Sequence, residues 1–300
     1  MDLTVVIPFR PQDKGLNDVL TALNQQTGVS FEVLLVQNPP IADFAPTLPS
    51  RLNFQIQMLT SARGANRARN KGLESASTDL VFFLDSDCWP TSPNLLSHYV
   101  QLFRENAELC AAGGPYHLLP TANSLAKAYH ELQIRWLQEG LRDTDLNAYN
   151  LLGGNLLVRR SRLDEMRFDE NIIFGGTERE FLQRLSQHGK VIQFFPHQSV
   201  FHGSSMNLKS FLKKAYAQGC GTRYITAKLG PATHSKRFVR ISVPPENLSP
   251  YLRIYQWGFD MGLGKASVRY YYNRICETLN RYLFFLQNLK FYRIREPKDR

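Results

Sequence analysis

Two aspartates separated by one serine, Asp85-Ser86-Asp87, directly follow five apolar residues at positions 80–84. An apolar run of that length predicts a strand buried on both faces of a parallel sheet. Open α/β sheets bind ligands beyond the carboxyl ends of their strands, so both carboxylates are expected at a ligand site. A hard divalent cation that also binds phosphates would relieve their mutual repulsion. The alternative for so short a motif is a plain acidic turn.

The elements that must position these carboxylates alternate over the first 120 residues. The pattern predicts strands at 3–7, 31–36, 54–59 and 79–84, with helices at 16–26 and 63–75. Pro8 has no N–H to donate and is expected to end the first strand. The alternation predicts a mostly parallel sheet with right-handed crossovers.

The rest of the chain continues with both kinds of element. The predicted helices are 94–106, 121–147, 178–188, 207–229 and 265–290, and the predicted strands are 109–116, 151–159, 191–195 and 199–201. Prolines across 230–250 indicate an extended linker. We therefore expect one domain over 1–228, divided into halves at 1–120 and 121–228. A linker and a helical, basic C-terminal extension would occupy 229–300.

The net charge of +10 belongs to the last third of the chain. Residues 201–300 hold 18 Lys+Arg against 5 Asp+Glu, a net of +13. Such asymmetry indicates an anionic partner, such as phosphates or an anionic membrane surface. Nucleic acid is the least favoured partner, because no recognised binding module accompanies the charge. Four scattered cysteines are typical of reduced thiols, so the expected location is the cytoplasm. On the predicted helix 265–290, aromatic residues mixed with arginines favour peripheral attachment to the inner face of the membrane, with packing against the rest of the chain or another subunit as the alternative.

Four further motifs occur in a set order around the aspartates. They are Val5-Val6-Ile7-Pro8, Ala68-Arg69-Asn70, Gly153-Gly154-Asn155 with Arg159, and Phe168-Asp169-Glu170 followed by Gly176-Thr177-Glu178-Arg179-Glu180-Phe181. With these motifs, residues 3–225 resemble the family 2 glycosyltransferases, inverting enzymes that use nucleotide-sugar donors. The resemblance implies the GT-A fold, a Rossmann-like α/β fold with a mixed, mostly parallel sheet flanked by helices. It also implies that 1–120 bind the nucleotide and 121–228 the acceptor.

Several site residues follow from the resemblance. A divalent metal, Mn²⁺ or Mg²⁺, would neutralise the departing diphosphate. Its implied ligands are Asp87, Asp85, which would otherwise reach the ribose, and His202, for which a structural role is the alternative. The implied nucleotide-sugar site comprises Pro8, Arg10, Gln37, Asn38, Arg69, Asp85 and Ser86, with a surface helix arginine as the alternative for Arg69. The implied acceptor site, for a saccharide or a lipid-linked saccharide, comprises Trp89, Gly154, Asn155 and Arg179, with core packing as the alternative for Trp89.

Two positions depart from the family pattern. Gln37 and Asn38 stand where the family has an acidic pair, which leaves guanosine and thymidine donors open beside uridine. Thr177 and Glu178 replace the glutamate and the aspartate that supplies the general base. The expected base is Glu178, with Glu180 as second candidate; the alternative for Glu178 is a helix N-terminal charge.

Two other classes of function stay open. One is a nucleotidyltransferase on a similar sheet, although its glycine-rich N-terminal phosphate loop is absent. The other is a catalytically inactive relative that binds saccharides or anionic surfaces.

The basic last third leads to the first prediction. Each Lys or Arg near an anionic leaflet contributes about 1 kcal/mol, so the protein is expected to co-sediment with anionic vesicles and not with zwitterionic ones. Added salt should weaken the attachment. Replacing Arg274 and Arg281 with Glu should release the protein, whereas a wild-type chain that stays in the supernatant at low salt would contradict the prediction.

Overall fold

The computed structural model describes residues 1–142, 151–229 and 250–264, apart from positions 14, 43, 174, 204 and 205. The strands are β1 (Leu3–Phe9), β2 (Phe31–Gln37), β3 (Gln55–Thr60), β4 (Leu80–Phe83), β5 (Cys88–Pro90), β6 (Leu109–Gly113), β7 (Tyr116–Leu118), β8 (Leu156–Arg159), β9 (Val191–Phe194) and β10 (Val200–His202). The α-helices are α1 (Leu16–Leu23), α2 (Ala65–Ser75), α3 (Leu95–Glu105), α4 (Ser124–Arg142), α5 (Thr177–Gln187), α6 (Leu208–Leu229) and α7 (Pro250–Gly262).

Seven strands form the central sheet, in the order β3-β2-β1-β4-β8-β6-β9. Strand β8 runs antiparallel to β4 and β6, and the other neighbouring pairs are parallel. A smaller sheet of order β5-β10-β7 lies beside it. This arrangement confirms the predicted mixed, mostly parallel α/β sheet.

Burial on both faces of the central sheet follows from the apolar strands. One core contains Phe82 with residues of α1 and α3, whereas the other contains Phe83 with residues of α2 and α5. Consecutive residues of a strand point to opposite faces, so β4 contributes to both cores. The prediction of a doubly buried strand ahead of the two aspartates is therefore confirmed.

The prediction that Pro8 ends the first strand is wrong. Strand β1 continues to Phe9, and Pro8 is aligned with Val36 of β2. The Val6 carbonyl accepts a hydrogen bond from the Leu84 N–H, and alternation makes Pro8 face the same side of β1. Strand β4 pairs only with residues 4–6, so the missing N–H of Pro8 removes no ladder bond there.

Other predicted bounds also change. The strand predicted over 109–116 is two strands, β6 and β7, because the chain leaves the central sheet at Gly113-Gly114-Pro115 and joins the smaller one. The strand predicted over 151–159 begins only at Leu156. The predicted helix 265–290 and most of the predicted linker 230–250 lie outside the described residues.

A third core joins helices α4, α6 and α7. It contains Tyr129 and Leu132 from α4, Phe211 from α6, and Tyr255 and Phe259 from α7. Helix α7 was not predicted from the sequence, because it follows directly on the proline-rich stretch. Within the parts of the chain that the structure describes, the helices are too short or too polar to cross a membrane.

Candidate active site

The Asp85-Ser86-Asp87 turn begins where β4 ends, and the loop ahead of α1 holds its shape. The Ser86 hydroxyl donates a 2.7 Å hydrogen bond to Asp13 Oδ2. The Asp13 carboxylate also accepts hydrogen bonds from the backbone N–H and the guanidinium of Arg10. The Ser86 side chain therefore stabilises the turn itself, and the exposed Arg10 is connected to Ser86 through the Asp13 carboxylate.

A buried guanidinium connects the turn with the start of α5. Arg69, on α2, is 4% exposed and donates 3.0 Å hydrogen bonds to Asp85 Oδ1 and Thr177 Oγ1. The Thr177 hydroxyl in turn donates to Glu178 Oε2 at 2.6 Å. Burial alone would lower the pKa of Arg69, but the charges of Asp85 and Glu178 raise it above its usual value. The guanidinium therefore stays charged between two carboxylates.

Two glycines let the backbone approach this group. A Cβ on Gly154 would lie 2.7 Å from Asp85 Oδ2, and one on Gly153 would lie 2.8 Å from Arg69 Nη2. The Gly154 N–H donates a 2.7 Å hydrogen bond to the Tyr116 hydroxyl. Side chains larger than hydrogen would displace the charged groups, so Gly154 shapes the site through its backbone.

Asn155 does not fit the expected acceptor role. Its side chain is fully buried, donates to the Gln198 carbonyl at 2.8 Å and accepts from the Tyr99 hydroxyl at 3.0 Å. The amide therefore fastens the start of β8 to two distant segments and is not available to a substrate.

Asp87, Cys88 and His202 bring potential metal-ligand atoms within 4.8 Å of one another. His202 Nε2 lies 3.5 Å from Asp87 Oδ2, and the imidazole stacks on Tyr116 with ring centroids 5.0 Å apart. Burial lowers the pKa of His202, which favours the neutral imidazole that binds metals. Burial raises the pKa of the Cys88 thiol, which keeps it protonated and a poor ligand. One carboxylate and one imidazole are thus the donors that fit a divalent cation.

A cavity begins at Glu178 and extends between the helices of the third core. Its aromatic walls come from Tyr129, Trp136 and Phe259, and its other lining residues are Gln133, Leu151, Leu152, Gly176, Glu178, Arg179, Gln218 and Thr222. Gln133 is 8% exposed, and its side-chain oxygen has no hydrogen-bond partner among the described residues. Arg179 donates to Thr222 Oγ1 at 3.3 Å. Apolar walls with a few polar groups are typical of a ligand pocket.

Trp89 lies elsewhere and does not line this cavity. The ring centroids of Trp89 and Phe201 are 6.4 Å apart, and Trp89 packs against the core that contains Phe82. This environment matches the core-packing alternative.

Glu180, the second candidate for the base, is enclosed by cations. Its carboxylate is fully buried and accepts hydrogen bonds from Arg184 at 2.6 and 2.9 Å and from Lys228 at 2.8 Å. Lys228 also binds Asp169 at 2.5 Å. Glu180 therefore belongs to an ion network that connects α5, α6 and the Phe168-Asp169-Glu170 segment, and it does not fit the role of base.

The two amides after β2 differ in their contacts. Asn38 donates to the Ser61 hydroxyl and to the carbonyls of Ala62 and Gly64, and it accepts from the Gly64 N–H. It therefore holds the loop ahead of α2. Gln37 is also buried, but its Nε2 has no partner among the described residues, so its amide is the one left for a ligand.

The sequence reasoning missed three residues of the site. Thr177 appeared only as a departure from the family pattern, yet its hydroxyl bridges Arg69 and Glu178. Tyr116 and Asp13 carried no motif, and their roles appear only once distant segments meet. Of these three residues, only Thr177 could have been noticed in the sequence, because it departs from the family pattern.

The fold and the site define a GT-A type protein, and comparison with known proteins agrees. The family model described as Glycosyl transferase family 2 matches residues 4–167, more than half of the chain, so the protein belongs to this family. The succinoglycan biosynthesis protein ExoW of Rhizobium meliloti is 35% identical over 113 residues, 35% of each chain. Glycosyltransferase AglE of Haloferax volcanii is 23% identical over 225 residues, 73% of this chain and 72% of AglE. A pre-mycofactocin glycosyltransferase of Mycobacterium tuberculosis is 24% identical over 231 residues, 73% of this chain and 46% of that protein.

The chain spans less than half the length of the first and last of these relatives. Among solved structures, the mannosyltransferase PcManGT from Pyrobaculum calidifontis, in complex with GDP-Man and Mn²⁺, has a TM-score of 0.60 at 12% identity. That match covers 94% of this chain and 80% of PcManGT. A fragment of S. aureus TarS in complex with UDP-GlcNAc has a TM-score of 0.54 at 16% identity and covers 88% and 80%. Both matches show the GT-A fold.

The ion network leads to a prediction about pH. Burial alone would raise the pKa of Asp169, but hydrogen bonds from Lys228, Asn171 and Tyr224 outweigh it and lower the pKa from 3.8 to about 2. A carboxyl group whose pKa is lowered by folding stabilises the native state at pH values above the pKa that the group has in the unfolded chain. This stabilisation is lost as the pH falls through the pKa of the folded state. Asp169→Asn is therefore expected to cost about 2 kcal/mol at neutral pH and progressively less below about pH 4.

Urea unfolding from neutral pH down to about pH 3 measures this effect. The matched control is Asp18→Asn, a change at an exposed aspartate of α1, which should leave the free energy of unfolding within about 0.5 kcal/mol of the wild type. An Asp169→Asn penalty that does not change with pH would contradict the expected origin of the stabilisation.

Proposed function

We propose that the protein transfers a sugar from a nucleotide-diphosphate donor to a hydroxyl group of a saccharide or lipid-linked saccharide, with inversion at the anomeric carbon. The observation that carries this proposal is a series of side chains joined by hydrogen bonds, Asp85–Arg69–Thr177–Glu178. The series connects the expected donor site with the cavity. One end of the series is at the carboxyl edge of the sheet and the other end lines the cavity. Donor and acceptor would thus meet beside Glu178.

The donor would bind along the carboxyl ends of β1, β2 and β4. The amide nitrogen of Gln37, which has no hydrogen-bond partner in the described part of the chain, is available for a base edge, and Pro8 and Arg10 border the same end of β1. Asp85 would face the ribose or share the metal, although its Oδ1 is already bonded to Arg69. The complexes of PcManGT with GDP-Man and of TarS with UDP-GlcNAc support a nucleotide-sugar donor for this fold.

Asp87 and His202 would hold the divalent cation, and we propose Mn²⁺ or Mg²⁺. A bound cation of this kind neutralises the charge that builds on a departing diphosphate. The Mn²⁺ in PcManGT supports this choice. The two carboxylates have different partners, because Arg69 pairs with Asp85 and His202 Nε2 lies 3.5 Å from Asp87 Oδ2.

Glu178 would deprotonate the acceptor hydroxyl. It lines the cavity, whereas Glu180 does not. The Thr177 hydroxyl donates to one carboxylate oxygen at 2.6 Å and thereby orients the group. The acceptor ring would lie among Tyr129, Trp136 and Phe259, whose apolar faces complement the C–H face of a sugar, with Gln133 and Arg179 near its hydroxyls.

The metal assignment can be tested by thermal unfolding with nucleoside diphosphates. Ligands that bind only the native state raise the melting temperature, so UDP, GDP or dTDP with Mn²⁺ should stabilise the wild type. EDTA should remove this stabilisation, and Asp87→Asn should abolish it while the protein still unfolds cooperatively. Nucleotide binding that persists after both treatments would rule out the metal role of Asp87.

The base assignment can be tested by kinetics. Loss of a positioned general base typically costs about 10²–10⁴-fold in rate, so Glu178→Gln should lower turnover by that factor with little change in donor affinity. The assay measures release of the nucleoside diphosphate from UDP-GlcNAc or GDP-mannose in the presence of a panel of saccharides. The matched control is Glu105→Gln at the end of α3, an exposed position away from the site. Near-normal transfer by Glu178→Gln would remove the role from this residue.

A further inference from the structure

Gln133 lines the cavity from the same face of α4 as two aromatic rings. Tyr129 is four residues before it and Trp136 three residues after it, a spacing that places all three side chains on one side of a helix. The two rings meet edge to face, with centroids 6.4 Å apart. Phe259 of α7 lines the same cavity. A single amide group therefore lies among aromatic side chains.

The amide of Gln133 has an unused hydrogen-bond acceptor. The residue is 8% exposed, and its Oε1 has no hydrogen-bond partner in the described ranges of the chain. A buried amide oxygen without a donor destabilises the native state, because it has lost its hydrogen bonds to water. Other polar side chains of the cavity are bonded: Arg179 donates to Thr222, and Glu178 accepts from Thr177. The oxygen of Gln133 is thus open to a donor that a ligand brings.

The group that complements this oxygen is an O–H or N–H donor. Ionised carboxylates only accept hydrogen bonds and do not fit beside it, whereas a sugar hydroxyl does. In pockets with apolar walls, a few polar groups fix the orientation and the specificity of the ligand. The last torsion of a glutamine side chain is broad, so the amide can turn toward such a hydroxyl.

Gln133 and Glu178 line the same cavity from different helices. Glu178 lies at the start of α5, and under the proposed function its carboxylate faces the hydroxyl that reacts. Gln133 comes from the third turn of α4. A sugar ring between them would place one hydroxyl at the amide and present another to the carboxylate. The contact at Gln133 would therefore determine which hydroxyl is glycosylated.

We propose that Gln133 is a specificity-determining residue that accepts a hydrogen bond from one hydroxyl of the acceptor sugar and thereby fixes which other hydroxyl faces Glu178. The inference rests on the proposed function, because it assumes a saccharide in the cavity. It goes beyond that function by naming the residue that selects the acceptor and the position of the new linkage.

Kinetics of Gln133→Met on the full chain test the inference. Methionine keeps the unbranched side chain and its apolar contacts but replaces the amide. The donors are UDP-GlcNAc and GDP-mannose, and the acceptors are the methyl glycosides of glucose, galactose, mannose and N-acetylglucosamine. For the best acceptor, kcat/KM should fall about 10- to 100-fold. Hydrolysis of the donor without acceptor should not change, because water does not depend on the Gln133 contact.

The matched control is Gln101→Met, the same substitution at an exposed position of α3. It should transfer sugar like the wild type. Monodeoxy analogues of the best acceptor identify the bound hydroxyl. The analogue that lacks this hydroxyl should lose a similar factor with the wild type and lose no further with Gln133→Met, as interacting partners do in a double-mutant cycle.

Thermal unfolding distinguishes a binding role from a structural one. Because Oε1 is buried without a partner in the described ranges, Gln133→Met should raise the melting temperature by about 2–4 °C. A gain in stability together with a loss in acceptor kinetics is typical of a binding residue. A lower melting temperature with unchanged acceptor kinetics would show a structural amide and overturn the inference.

The remaining outcomes separate this inference from the proposed function. A wild type for which none of these saccharides accelerates release of the nucleoside diphosphate overturns both. An active wild type whose kcat/KM is unchanged in Gln133→Met, or whose deoxy analogues show no coupling to it, overturns the role of Gln133 alone. An equal loss in donor hydrolysis would indicate a general defect of the variant and would also overturn that role.

Discussion

The site depends on the burial of one guanidinium. Arg69 lies almost without solvent contact, and a buried charge is stable only when it is paired and hydrogen-bonded. Its partners, Asp85 and Thr177, come from segments about 90 residues apart, so the pairing holds the end of β4 against the start of α5. The Gly153-Gly154 turn completes the enclosure, because only residues without a Cβ fit beside these charges.

A second set of charges supports the same helix from its other side. Glu180 and Asp169 share Lys228, and Arg184 binds Glu180 again one turn along α5. The network therefore ties α5 to α6, whose other contacts build the third core with α4 and α7. Glu178 and Glu180 are two positions apart, yet one carboxylate faces the cavity and the other is locked among cations. The direction of each side chain from the helix separates their roles.

Much of the framework was predictable from the sequence, because it depends on local patterns. The apolar run at 80–84, the alternation of strands and helices and the order of the motifs are all short-range signals, and they led to the observed fold. The contacts of individual polar residues were not predictable in the same way. Asn155 bonds to Tyr99 and Gln198, and Glu180 bonds to Lys228, all more than 40 positions away. Their burial depends on how distant segments meet, and no spacing in the sequence encodes it. Helix α7 was missed because the prolines ahead of it resemble a linker.

The position of the cavity-lining residues in the sequence affects how this protein can diversify. Every described residue that lines the cavity comes from position 129 onward, chiefly from α4, α6, α7 and the start of α5. Strands β1 to β4, which carry the candidate nucleotide site, contribute none of its described lining. The cavity and the candidate nucleotide site are thus encoded in separate stretches of the chain and are joined by the Arg69 contacts. Substitutions in the helical wall can reshape the cavity while the carboxyl edge of the sheet keeps its structure, so under the proposed function acceptor and donor preference would change independently in evolution and in engineering.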